Sequence, residues 1–171
     1  MNRHFLSGVF LCAVITTLLL PACSKFKNDP QFIGTWQFSE QITADDIVYS
    51  TTRTLTLAKS SWEETFVIKR QNSAVISAII GTRGTLGMSH TSLIFYLEEL
   101  GTCVPDEMDK CTDQVNWYGE GSAYWNLNIQ YFEKAVPGEY EVTDNALTLK
   151  RDLNNDGDYS DTGENVTFQM I

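Results

Sequence analysis

The chain has 171 residues, of which 43% are hydrophobic and 20% charged, so its composition is that of one globular domain and excludes a disordered or fibrous protein. Twelve basic against 22 acidic side chains give a net charge of −10. Such a charge excludes recognition of nucleic acid or of an anionic membrane surface by electrostatic attraction. The two histidines, His4 and His90, are too few for a metal site with several histidine ligands.

The first residues have the pattern of a targeting segment. The basic Arg3 precedes an apolar run from Phe5 to Leu20, and Pro21-Ala22-Cys23 follows it. This order is typical of a secretory signal peptide. A short transmembrane anchor is the alternative, but the run is shorter than the roughly 20 apolar residues that span a bilayer.

Leu20-Pro21-Ala22-Cys23 resembles the lipobox of bacterial lipoproteins. The resemblance implies that residues 1–22 are removed, that Cys23 carries diacylglyceryl, and that residues 23–31 are a lipidated N-terminus and tether. Two or three acyl chains make a durable membrane anchor. Ser24 follows the cysteine where many lipoproteins of the inner membrane carry Asp. The resemblance therefore implies the cell outer membrane, on its periplasmic or surface face.

With Cys12 in the removed peptide and Cys23 lipidated, Cys103 and Cys111 remain. Two cysteines in an exported domain most simply form one disulfide, here across a short acidic loop. A redox pair or a metal thiolate site is the alternative, and it lacks a second cysteine pair.

Alternation of apolar and polar residues is the dominant period and predicts half-buried strands. In chain order, the predicted strands carry Trp36, Phe38 and Ile42; the range 47–57; Trp62, Phe66 and Ile68; Leu93, Phe95 and Leu97; Trp125, Leu127, Ile129 and Tyr131; and Val166, Phe168 and Met170. Roughly ten such runs with short connections favour antiparallel pairing. We therefore expect an all-β fold, an antiparallel up-and-down barrel of about 8–10 strands, with a β-sandwich as the alternative.

Gly34-Thr35-Trp36 is similar to the start of lipocalin-like domains, and the segment 138–149 is similar to late hairpins of bacterial lipocalin-like lipoproteins. The resemblance implies that residues 32–171 form a lipocalin-like barrel whose closed end contains Trp36. Barrels of this size enclose side chains or one small ligand. The candidate cavity residues are the aromatic side chains of the strand faces: Trp36, Trp62, Phe66, Trp125 and Tyr131.

An acidic segment at 152–164 predicts a calcium loop, because Ca²⁺ takes six to eight oxygen ligands. Its opening Asp-x-Asn-x-Asp-Gly is similar to an EF-hand loop, although strands rather than helices flank it. The alternative is a solvated acidic turn. The predicted ligands are Asp152, Asn154, Asp156, Asp158, Ser160, Asp161 and Glu164. Structural calcium would neutralise mutually repelling carboxylates.

Two further charged residues, Glu64 and Arg53, lie on strands, and the preferred interpretation places them at strand ends near solvent. The alternative is that they point into a cavity and orient a ligand. His90 is interpreted as a turn residue rather than as the base of a catalytic triad. An enzyme is the least favoured class, because the sequence supplies no evident nucleophile–base pair.

We therefore predict a lipid-anchored protein of the cell envelope that binds a small apolar ligand. The alternative is a structural lipoprotein with a filled core and a protein partner. Small residues at Ala74, Ser77, Ala78, Gly84 and Gly87 are the places where the sequence would leave space for a ligand.

Overall fold

A computed structural model describes residues 30–89 and 92–171. The predicted signal peptide, Cys23, most of the tether and His90 lie outside these ranges. Within them, nine antiparallel strands form one closed ring. They are β1 (Gly34–Ala44), β2 (Ile47–Leu57), β3 (Ser61–Arg70), β4 (Ile76–Met88), β5 (Ser92–Pro105), β6 (Cys111–Gly119), β7 (Ala135–Thr143), β8 (Ala146–Arg151) and β9 (Asn165–Met170). The all-β prediction is confirmed, and closure of the ring excludes the sandwich.

The ring is built mainly from neighbouring hairpins, and β5 pairs with two strands along one edge. The first half of β5 pairs with β7, whereas the second half pairs with β6 along the same edge. The ring closes through β8 and β9, and β9 meets β1 at Trp36 and Gln37. From β3 the ring reaches β8 through β4, β5 and β7 in one direction, and through β2, β1 and β9 in the other. Strands β3 and β8 therefore face each other across the interior.

The strand predicted for residues 125–131 is wrong, because this segment forms helix α1 (Ala123–Asn128) and a 3₁₀ turn (Ile129–Tyr131). The Ser122 hydroxyl caps the helix by accepting a hydrogen bond from the backbone N–H of Trp125 at 3.2 Å. Trp125 is 3% exposed and Tyr131 is 76% exposed. An alternating pattern this short also fits a helical turn, so periodicity could not separate the two structures. No helix in the described ranges has the length and apolarity needed to cross a membrane.

The end of the ring at which β1 begins is filled with apolar side chains. Trp36 is fully buried there, and its indole N–H donates to the carbonyl of Phe32 at 2.8 Å. The other large buried side chains of this half are Leu55, Leu57, Leu86, Leu93, Leu147, Leu149 and Phe168. Burying each of them contributes about 1.5–3 kcal/mol. This half of the ring is therefore an ordinary hydrophobic core, and we call it the closed end.

The predicted disulfide between Cys103 and Cys111 is present, with a Cα–Cα distance of 5.4 Å. It joins β5 to β6 next to an irregularity in their pairing between Cys103 and Pro105. The bond lies at the opposite end of the ring from Trp36. The disulfide links the two strands of the β5–β6 hairpin, in the half of β5 that does not pair with β7.

Candidate ligand-binding site

A cavity of about 500 Å³ occupies the half of the ring away from the closed end. Its volume lies in the range of roughly 300–1,000 Å³ that is usual for small-molecule sites. Apolar side chains from three strands and from the connection before β7 form most of its wall: Trp62, Phe66, Phe95, Leu97, Phe132 and Val136. The interior is therefore filled in one half and open in the other.

The structure places the five predicted cavity residues in two groups. Trp62, Phe66 and Tyr131 line the cavity. Trp36 and Trp125 belong to the buried core cluster instead. The small residues proposed to leave space do not line the cavity; Gly84, for example, lies where a Cβ would collide with the backbone of Tyr96. The small residues that do line the cavity are Thr82, Thr162 and Gly163.

The rim of the cavity is also apolar. Ile42, Ile80, Leu153 and Tyr131 line the opening, and each is between 37% and 76% exposed. They come from β1, β4, the acidic loop and the 3₁₀ turn. Side chains of this kind clustered around an opening are characteristic of a binding site rather than of ordinary surface.

Three buried charged side chains, Arg53, Glu64 and Arg151, form part of the polar wall. Arg151 donates from Nη1 to Glu64 Oε2 at 2.7 Å and from Nη2 to Oε1 at 3.1 Å. Arg53 donates to the same Glu64 Oε1 from Nε at 3.1 Å and from Nη2 at 3.0 Å. Because Glu64 lies on β3 and Arg151 on β8, this ion pair crosses the interior. We call the three residues the interior triad.

The interior triad is buried, since its side chains are 13% (Arg53), 10% (Glu64) and 5% (Arg151) exposed. Burial by itself would raise the pKa of Glu64. Attraction to Arg151 and then to Arg53, together with their hydrogen bonds, outweighs burial and lowers that pKa to about 2. Glu64 is therefore ionised throughout the physiological pH range.

The triad also divides the interior. The guanidinium carbon of Arg53 lies 5.8 Å from the ring centre of Phe168, and that of Arg151 lies 5.4 Å from the ring centre of Phe95. At such distances the cations interact with the aromatic faces. Gly138 lies opposite Arg151 on β7, where a Cβ would lie 3.2 Å from Cγ of Arg151. The triad thus packs against Phe168 of the core and Phe95 of the cavity wall, and we take it as the floor of the cavity.

The preferred sequence interpretation of Glu64 and Arg53 as solvent-exposed strand ends is wrong. Both lie on the inward faces of their strands, next to Trp62 and Leu55 in the alternating pattern. Sequence reasoning did not single out Arg151. The signal was present, because Arg151 continues the inward face of Leu147 and Leu149.

The acidic loop joins β8 to β9 at the rim and is tied together by its own hydrogen bonds. Asp152 Oδ1 accepts from the N–H of Asp156, and Oδ2 accepts from that of Gly157, whose φ is +91°. That φ favours glycine and gives the sharp turn expected at this position of a calcium loop. Glu164 is 1% exposed and accepts from the N–H of Leu153 at 2.8 Å, so it connects the two ends of the loop.

The remaining predicted ligands lie in the exposed part of the loop. The Asn154 amide donates to Asp161 Oδ2 at 2.7 Å and to Asp156 Oδ2 at 3.0 Å. Asp158 Oδ1 accepts from the backbone N–H and the hydroxyl of Ser160, and these bonds lower the pKa of Asp158. In residues 30–89 and 92–171 no group of three or more His, Cys, Asp or Glu is arranged to hold a metal ion. The turn at Gly157 fits a calcium loop, and calcium binding stays a prediction.

The loop also contacts the interior triad. The Arg53 guanidinium donates from Nη1 to the carbonyl of Gly163 at 3.4 Å, and the backbone N–H of Arg151 donates to the carbonyl of Glu164 at 2.7 Å. Leu153, Thr162 and Gly163 belong to the cavity wall. The loop therefore shapes one side of the opening.

No protein-family model matches the chain, and no curated protein is significantly similar to it. The assignment of function accordingly rests on the geometry of the site.

We expect Glu64→Gln to lower the free energy of unfolding at pH 7 by about 3 kcal/mol, because it leaves two buried arginines facing each other. The pKa of Glu64 falls from 4.5 to about 2 on folding. Its stabilisation is therefore complete above about pH 4.5 and is lost as the pH falls toward 2. Urea denaturation at pH 7, 4 and 3 measures the free energy of unfolding of the variant and of the unsubstituted protein. The difference between the two should decrease as the pH falls.

The matched control is Glu63→Gln, the neighbouring residue on the exposed face. Glu63 is 46% exposed in its ion pair with Arg83, so its loss should cost no more than about 1 kcal/mol. Equal effects of the two substitutions, or a gap for Glu64→Gln that is independent of pH, would contradict the role given to the triad.

We expect millimolar Ca²⁺ to raise the unfolding temperature relative to a chelator. At 1 mM Ca²⁺, a site with the affinity of extracellular modules has a ratio of calcium concentration to Kd of about 1 to 10, which adds roughly 0.4–1.4 kcal/mol to the free energy of unfolding. Asp156→Ala should abolish the shift, whereas Asp113→Asn on β6 should retain it. Scanning calorimetry with Mg²⁺ as the ionic control makes the measurement. An identical response to both cations, or none, would exclude a calcium site.

Proposed function

We propose that this chain is a lipid-anchored lipoprotein of the cell outer membrane that binds a small apolar ligand inside a lipocalin-like barrel. The observation that carries the proposal is the cavity of about 500 Å³ in the open half of the ring. It combines an apolar wall with a small number of polar groups, which is the usual composition of a small-molecule site.

The hydrophobic effect favours occupation of this cavity by an apolar molecule. Phe66 and Leu97 on the wall, and Ile80 and Tyr131 at the rim, present apolar surface that a ligand would remove from water. Each 100 Å² of apolar surface so removed contributes about 2.5 kcal/mol before the costs of association.

The alternative, an interaction protein with a filled core, required bulky side chains throughout the interior. They fill the closed end and leave the other half open. The observations thus favour the binding protein over that alternative.

We expect the domain, residues 24–171, to bind the neutral fluorophore N-phenyl-1-naphthylamine with increased emission. Thr82→Trp should abolish binding, since Thr82 lines the cavity and an indole there would fill it. Thr85→Trp is the matched control, because Thr85 lies on the same strand and is exposed. Fluorescence titration measures the affinity. Equal loss or equal retention in both variants would contradict binding in the cavity.

We expect the full chain to be modified at Cys23 when it is expressed in a bacterium with a lipoprotein pathway. Mass spectrometry of the detergent-extracted protein should show loss of residues 1–22 and addition of a diacylglyceryl group. Cys23→Ser should yield protein without lipid that no longer sediments with outer membranes. An intact N-terminus on the unsubstituted protein would disprove the anchor while leaving cavity binding to its own test.

A further inference from the structure

We propose that the ligand is a single-chain amphiphile with a monoanionic carboxylate headgroup, bound with the carboxylate against Arg53 and Arg151 on the cavity floor and the chain toward the rim. This inference rests on the proposed function, since it names the class of molecule that the same cavity takes. It adds a headgroup site that the apolar wall alone does not imply.

The charges within the interior triad do not cancel. Two arginines face one carboxylate in the interior triad, so the triad itself has a net charge of +1. The buried carboxylates of Asp152 and Glu164 nearby accept hydrogen bonds from backbone N–H groups of their own loop. A charge within a wall of low polarity is costly unless an opposite charge compensates it. A monoanionic headgroup supplies one negative charge, which is equal and opposite to the net charge of the triad.

The two arginines of the triad have more N–H donors than their described hydrogen bonds use. A guanidinium has five N–H groups. Hydrogen bonds among the described residues use three on Arg53 and two on Arg151. Both arginines line the cavity. The remaining N–H groups are donors of the kind that bind a carboxylate in a planar, two-pronged arrangement.

The lining of the cavity is charged at the floor and apolar toward the rim. The triad lies at the floor, on Phe95 and Phe168. The wall above it is mainly apolar, and Ile42 and Ile80 stand exposed at the rim. A molecule with one anionic end and one apolar end matches this order when its headgroup enters first.

Two further carboxylates border the cavity and oppose an anion. Glu40 and Glu133 line it, but both are exposed to solvent. Water and salt screen exposed charges, whereas the charges of the buried triad act over a short distance at lower effective dielectric. The triad therefore dominates the selection of a headgroup at the floor.

The test compares decanoate, decanol and decyltrimethylammonium at pH 7.5, each below its micelle concentration, as competitors for N-phenyl-1-naphthylamine bound to residues 24–171. Decyl phosphate is included to separate a carboxylate from a dianionic headgroup. We expect decanoate to bind roughly tenfold more tightly than decanol, because a charge-assisted hydrogen bond is stronger than a neutral one. The cationic amphiphile should bind more weakly than decanol.

Two substitutions in the triad should move the ratio of decanoate to decanol affinity in opposite directions. Arg53→Gln removes the positive excess and should reduce the ratio to about one. Glu64→Gln adds one positive charge and should increase it. A purely structural triad would change stability in both variants and leave the ratio unchanged. The control is Arg83→Gln, which removes a positive charge outside the cavity, where Arg83 pairs with Glu63 and Glu99.

Equal affinities for decanoate and decanol in the unsubstituted protein would overturn the inference, whether or not the variants fold. Tighter binding of the cation or of the dianion than of decanoate would also overturn it. So would binding of the fluorophore that none of the amphiphiles displaces. Each of these outcomes leaves the apolar-ligand proposal standing as long as the fluorophore binds. Failure of the fluorophore and of every amphiphile to bind would reject both.

Discussion

The ion pair between Glu64 and Arg151 is the interaction on which the interior of this protein depends. It joins strands that face each other across the ring, and Arg53 completes it from the strand next to Glu64. Desolvation of three charges is expensive, and the geometry repays that cost because Glu64 accepts four hydrogen bonds. The ion pair lies where the closely packed core of the closed end gives way to the cavity.

Below that level the ring behaves as an ordinary β-domain, with Trp36 and several leucines filling the space between strands. Above it, the aromatic and aliphatic side chains of the wall do not meet, and a cavity remains. Charged groups at the boundary explain both properties. They satisfy one another within the interior, and they give an otherwise apolar cavity a floor that distinguishes one end of a ligand from the other.

The acidic loop belongs to this arrangement because of its position as well as its composition. Gly163 accepts a hydrogen bond from Arg53, and Leu153 contributes to the rim. The hydrogen bonds that Asp152 and Glu164 accept from backbone N–H groups give the loop a defined shape. An ion bound in the loop would therefore alter one wall of the cavity as well as the stability of the β8–β9 connection.

Alternation along the chain by itself determined the all-β class, most strands and the inward faces, because a period of two residues is a local property. The pairing of Cys103 with Cys111 also followed from the cysteine count. Alternation failed at Trp125, where a capped turn of helix has the same short pattern as a strand. Tertiary structure alone decided that Glu64 meets Arg151 from 87 residues away. Closure of the ring brings β3 and β8 face to face, and a local sequence pattern carries no information about contacts between residues so far apart in the chain.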